Sequence, residues 1–221
     1  MTFPIPTTPP GRPGWPAPYP GPNPPNPGPA PGTHPAPPLP HDHLGGDQNG
    51  WLYRQLMDRR IVLAQGTLDA RLATVLCAQL LTLDAEGEDP IQLHLHTPDG
   101  DVGAALTVVD ALDALRVPVH AVAVGTVGGP GIGVLVAAGQ RSSYPHASFH
   151  LTEPRTAVHG TAHEVAAHEA NHRGLADDLY DRIARVTGRT AEQVRDDARQ
   201  GRYLNAAEAV EYGLIERITP R

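Results

Sequence analysis

Eighteen of the chain's 25 prolines fall between Pro4 and Pro40, which confines any globular core to the residues beyond them. Proline lacks a backbone N–H and has a fixed φ, so a run this dense supports neither a helix interior nor a paired strand. Gly, Ala and Asn fill the gaps, and no apolar residue recurs there at helical or strand spacing. Residues 1–46 are therefore expected to be a disordered, partly polyproline-II tail that ends at Gly45-Gly46. Within it, Pro13-Gly14-Trp15-Pro16 suits an aromatic-lined groove on a partner; the plainer alternative is a spacer. Residues 47–221 remain as one globular domain of ordinary size.

Charge and cysteine usage remove several function classes. The net charge is −7, and the 17 positive residues are all Arg, with no basic run. That balance points away from nucleic acid and from anionic membranes. Cys77 is the only cysteine, so no internal disulfide forms and a reducing compartment suits the chain. No charged-then-apolar leader opens the sequence, and no apolar run is long enough to span a bilayer. The expectation is a soluble cytoplasmic protein without a cofactor.

Beyond the tail, apolar periodicity alternates between strand and helix. Trp51 to Met57 predicts a short helix, and Ile61 to Ala64 a buried strand. Asp69 is placed to cap a helix whose apolar face runs through Leu72, Val75, Leu76, Leu80 and Leu83 and stops near Gly87. Ile91 to His96 alternates as a strand, Thr97-Pro98-Asp99-Gly100 makes a turn, and Val102 to Leu115 is a helix. A strand over Val117 to Val124 leads through a glycine-rich elbow, Gly125 to Gly133, into an apolar helix ending at Gly139. Ala147 to Leu151 is a strand, and Thr161 to Val186 one long helix. Helices over Ala191 to Gln200 and Ala206 to Tyr212, then a strand over Leu214 to Ile218, complete the domain. This alternation predicts an α/β fold with a largely parallel sheet.

The turn sequences carry a resemblance. Arg202-Tyr203-Leu204-Asn205-Ala206-Ala207-Glu208-Ala209-Val210-Glu211-Tyr212-Gly213-Leu214-Ile215 is similar to the R-F-L-S-A-x-E-A-V-E-Y-G-L-V/I segment of the ClpP family, the proteolytic subunits of Clp proteases. Thr97-Pro98-Asp99-Gly100 resembles that family's S-P-G-G, Tyr144-Pro145-His146-Ala147 its L-P-N-A/S, and Leu151-Thr152-Glu153-Pro154 its I-H-Q-P. The resemblance spans Trp51 to Ile218. It implies a crotonase-like spiral of βαβ units with a long handle helix over Thr161 to Val186. It also implies a ring of subunits, homo-oligomeric or mixed with ClpP paralogues, and an AAA+ ATPase unfoldase as a possible partner.

Fold does not carry activity with it, so each catalytic position is read separately. The family's mechanism needs a Ser nucleophile, a His base, an orienting carboxylate and backbone donors for the oxyanion. Counting back from Gly139 puts the nucleophile at Pro130; counting forward from Gly125 puts it at Gly129. Neither has a hydroxyl, and Val127 to Ala138 contains no Ser, Thr or Cys. The base position is Thr152, with His150 two residues earlier and so displaced by about 7 Å along a strand. The acid position is Gly201, while Asp196 and Asp197 read as solvated helix charges. Gly100 matches one oxyanion donor, but Asp99 replaces the glycine before it and sets a carboxylate where negative charge develops. Gln200 and Gly201 also replace residues that, in the family, lock two rings through an Arg–Asp pair. The expectation is a pseudo-protease with no catalytic triad. The rival is a serine peptidase using Thr126, Ser142, Ser143, Ser148 or Thr152.

One further motif competes. His168-Glu169-Ala170-Asn171-His172 fits H-E-x-x-H, in which two His one turn apart bind zinc and Glu acts as base, and Glu192 is the candidate third ligand. On the long helix, however, these residues lie on the family's handle rather than in a cleft, where His159, His163, His168 and His172 read as polar helix positions. A crotonase-type acyl-CoA enzyme is the remaining alternative, and Gly-Pro-Gly in the elbow is no CoA signature.

Overall fold

The computed structural model of the protein describes residues 48–220. The expectations for residues 1–46 lie outside the described residues. Chain order is α1 (Gln48–Met57), β1 (Ile61–Gln65), α2 (Ala70–Glu86), β2 (Ile91–His96), α3 (Val102–Ala114), β3 (Val119–Ala123), β4 (Thr126–Gly128), α4 (Gly131–Ala137), β5 (Gln140–Ser143), β6 (Ser148–Leu151), α5 (Ala162–Thr187), α6 (Ala191–Gln200), β7 (Arg202–Asn205), α7 (Ala206–Tyr212) and β8 (Arg217–Ile218).

The larger sheet runs β1-β2-β3-β5-β8 with every neighbouring pair parallel. Parallel neighbours cannot be joined by a hairpin and need a crossover. α2 and α3 supply the first two crossovers, and β4 with α4 the third. Alternate residues face those helices: Val62, Leu93 and Ala121 stand in register and are each at most 1% exposed. They share one core with Ala73, Leu76, Leu80 and Leu83 of α2, whose spacing of three and four residues lines one helix face. Asp69 caps α2 as its sequence position predicts, its carboxylate accepting the Leu72 N–H at 2.8 Å.

A second, three-stranded sheet, β4-β6-β7, carries the elbow. β4 and β6 are parallel, and β7 is antiparallel to β6. Val127, Phe149 and Leu204 share a register row and are buried, which ties this sheet to the core. The next row, Gly128, His150 and Tyr203, faces the other way. α5, α6 and α7 each begin with a reciprocal capping box, Thr161/Glu164, Thr190/Gln193 and Asn205/Glu208, and each ends on a left-handed glycine. A cap of this kind stabilises a helix by about 1 kcal/mol.

The predicted α/β class and parallel sheet are present. β5 is an addition: Gln140 to Ser143 has no apolar alternation, yet it pairs between β3 and β8. The strand predicted over Leu214 to Ile218 shortens to Arg217–Ile218. Its first residues instead close the end of α7, the Leu214 and Ile215 N–H groups returning to the Ala209 carbonyl. Among the described residues, no helix is long and apolar enough to cross a membrane.

Candidate active site

The elbow between β4 and α4 is built from glycines for steric reasons. The Gly128 N–H donates to the Thr97 carbonyl at 2.8 Å, and a Cβ at 128 would stand 2.3 Å from the Pro98 carbonyl oxygen. Gly129 takes φ +48° while its N–H donates to the His150 carbonyl at 2.9 Å. A Cβ at 129 would point at Thr152, 3.4 Å from Cγ2, and at Asp99, 3.8 Å from Oδ1. Pro130 comes next as the N-cap of α4, with φ −60° and no side-chain cap. Of the two positions that sequence counting leaves open, a side chain at Gly129 would face Thr152, and Pro130 follows it at the head of α4.

The turn after β2 forms the opposite wall. Gly100 is pinned by the backbone of Leu68: the Leu68 N–H donates to the Asp99 carbonyl and the Asp101 N–H to the Leu68 carbonyl. A Cβ at Gly100 would lie 2.7 Å from that of Leu68, so only glycine fits. The Gly100 N–H donates to Asp99 Oδ1 at 2.8 Å. Asp99 Oδ2 in turn pairs with Arg155 at 3.8 Å, joining the turn to the segment after β6. The sequence identifies Gly100 as a donor and Asp99 as an anion beside it. It does not show that the two are bonded, nor that Arg155 reaches Asp99.

The structure separates the remaining positions. Thr152 lies just past β6, towards Gly129. His150 turns instead towards Gly201: its Nε2 is 3.6 Å from where a Cβ at 201 would be. Its ring stacks on Tyr203, centroid to centroid 3.9 Å at an interplanar angle of 5°. Tyr203 is not among the sequence candidates, because a four-residue polar strand antiparallel to β6 leaves no apolar signal. Gly201 is the left-handed C-cap of α6, φ +65°.

Asp197 corrects the reading of solvated helix charges. Its side chain is only 15% exposed; Oδ1 accepts from Arg202 at 2.9 Å and Oδ2 from the Tyr212 hydroxyl at 2.7 Å. Burial and this bond to Asp197 push the Tyr212 hydroxyl well above its ordinary pKa. Asp196 does fit that reading, exposed and 3.3 Å from Arg199.

Four of the five hydroxyls named for a relocated nucleophile are engaged or enclosed, Thr152 being half-buried beside Gly129. Thr126 Oγ1 and Ser148 Oγ bond each other at 3.0 Å. His96 Nδ1 accepts the Thr126 backbone N–H rather than its hydroxyl. Ser142 and Ser143 are buried in β5, and the Ser143 hydroxyl has no hydrogen-bond partner among the described residues.

An elbow, the turn after β2 and the end of β6 therefore come together on a parallel α/β scaffold. The family model for Clp protease matches residues 45–221, the whole domain. The chain belongs to the Clp protease family.

In this Clp protease chain, the H-E-x-x-H motif lies on α5, the long helix expected from the resemblance. Glu169 pairs with Arg173 at 2.5 Å. His168 Nε2 meets Thr156 Oγ1 at 3.0 Å. Ala170 and Asn171, between the histidines, are exposed, as are His159 and His163. Glu192 is in the first turn of α6. Among the described residues, no group of three His, Cys, Asp or Glu side chains could hold a metal ion.

Proposed function

We propose that this chain is a Clp protease homologue that does not hydrolyse peptides and serves as a structural or regulatory subunit of a Clp-type ring. The observation carrying this reading is the lining of the cleft. Gly129, which faces Thr152, matches the family's nucleophile, Thr152 its base and Gly201 its acid; none of the three supplies the required group. The one matched oxyanion donor, the Gly100 N–H, is already bonded to a carboxylate. A carboxylate there also repels a developing oxyanion, and does so most where water is excluded.

The ring itself, homo-oligomeric or mixed with ClpP paralogues, rests on family membership, as does an AAA+ unfoldase partner. Gln200 is exposed at the end of α6 and carries no charge for the ring-locking pair. This favours a single ring, or a loosely stacked pair, over a locked barrel.

A fluorophosphonate probe tests inactivity directly, applied to the chain alone and mixed with an active Clp subunit. The expected result is no covalent label on this chain. Labelling at Thr126, Ser142, Ser143, Ser148 or Thr152 would establish the relocated-nucleophile reading instead. Co-purification from native cells tests the ring, and recovery of this chain free of any other Clp subunit would remove the mixed assembly.

A further inference from the structure

We propose that His168 and His172 form a two-imidazole chelate on the handle helix for a late first-row divalent cation, a binding site that performs no hydrolysis. Residues four apart on a helix share a face. Here the two rings lie 6.5 Å apart, centroid to centroid, inclined by 28°. Two imidazoles sharing an ion at about 2.0–2.1 Å bring their ring centres to about 5 Å, a gap that small side-chain rotations close.

The surroundings support a ligand role. The His172 Nε2 is covered yet has no hydrogen-bond partner among the described residues, an arrangement that costs free energy unless something engages the nitrogen. The His168 Nε2 faces only the Thr156 hydroxyl, which an ion can displace. Both residues are half-buried, while their neighbours along this turn are exposed, and the first fully buried residue of α5 is Ala176. The pair therefore lies on the solvent-facing part of α5, and the rotation that brings the rings together must also uncover the His172 Nε2. Neutral imidazole favours Zn, Cu and Ni over the oxygen-seeking ions.

The same geometry separates this site from a zinc peptidase. Glu169 is turned to Arg173, so the carboxylate that would activate a metal-bound water is held elsewhere. With two protein ligands the site is open, and weaker than the closed four-ligand structural sites.

The test is calorimetric titration of the full chain with Ni²⁺ and with Zn²⁺. Ten other histidines contribute background, including His41 and His43, so the readout is the difference from the His168→Gln/His172→Gln variant. The expected result is one ion per chain lost in the double variant. Each single variant should weaken that ion by about tenfold or more. His163→Gln, on another face of α5, and Thr156→Val should both retain it. Equal stoichiometry and affinity in the wild type and the double variant would overturn the site. Loss in Thr156→Val with unchanged circular dichroism would overturn the two-imidazole assignment. None of these outcomes depends on whether the cleft is catalytic.

Discussion

The Asp99 carboxylate accepts the N–H of its chain neighbour Gly100 at 2.8 Å, which in the function proposed above occupies the donor matched to the oxyanion. Installing the missing groups should therefore not suffice. In the variant Gly129→Ser/Thr152→His/Gly201→Asp, fluorophosphonate labelling is expected to remain at background. Adding Asp99→Gly should raise it by about 10²-fold, the usual value of one oxyanion donor. Equal labelling with and without Asp99 would show that the contact does not obstruct the site.

Gly128 and Gly129 are adjacent but should respond differently to alanine. At 128 the new methyl meets a backbone carbonyl at 2.3 Å that cannot move aside, so Gly128→Ala should cost about 3 kcal/mol or more. At 129 there is space, and only the left-handed φ is penalised, about 1–2 kcal/mol. Urea denaturation of both variants measures the difference; similar losses would contradict the elbow geometry.

Two tyrosines set an alkaline limit. Burial, with a smaller contribution from Glu153, raises the Tyr180 hydroxyl to about 12, and the Tyr212 hydroxyl is raised by burial and by Asp197. The unfolded chain releases these protons near pH 10 while the native chain keeps them. The unfolded state then binds fewer protons, so stability falls as pH rises above about 10 and is undiminished below it. Melting temperatures followed through that range should drop less steeply for Tyr212→Phe. An unchanged slope would mean the hydroxyl is not held in its neutral form.

Deleting residues 1–46 should leave the melting temperature within about 2 °C, because the family match begins at residue 45 and the core formed by the described residues runs from Val62 onward. Differential scanning fluorimetry of the truncated chain decides this, and a large fall would assign residues 1–46 a structural role.

Much of the fold is legible in the sequence because its elements follow burial. The α2 face, the alternation of β2 and the Asp69 cap are all written in local spacing. β5 is hidden because its residues are polar and owe their strand conformation to flanking partners, Val122 and Ala123 on one side and Arg217 and Ile218 on the other. In the cleft, the missing hydroxyl can be read directly, whereas the choice between Gly129 and Pro130 depends on where a Cβ would point. Asp197 misleads because a helix pattern cannot show that Tyr212, 15 residues later, closes over it.

All three positions matched to the family's triad lie on or beside the small β4-β6-β7 sheet, while the large parallel sheet and the helices packed on it supply most of the apolar interior. Substitution within the cleft thus leaves the Val62–Leu93–Ala121 row and its helices untouched. Such an arrangement makes chemistry and architecture separately heritable: the side chains at the site can change while the large sheet and its helices stay as they are.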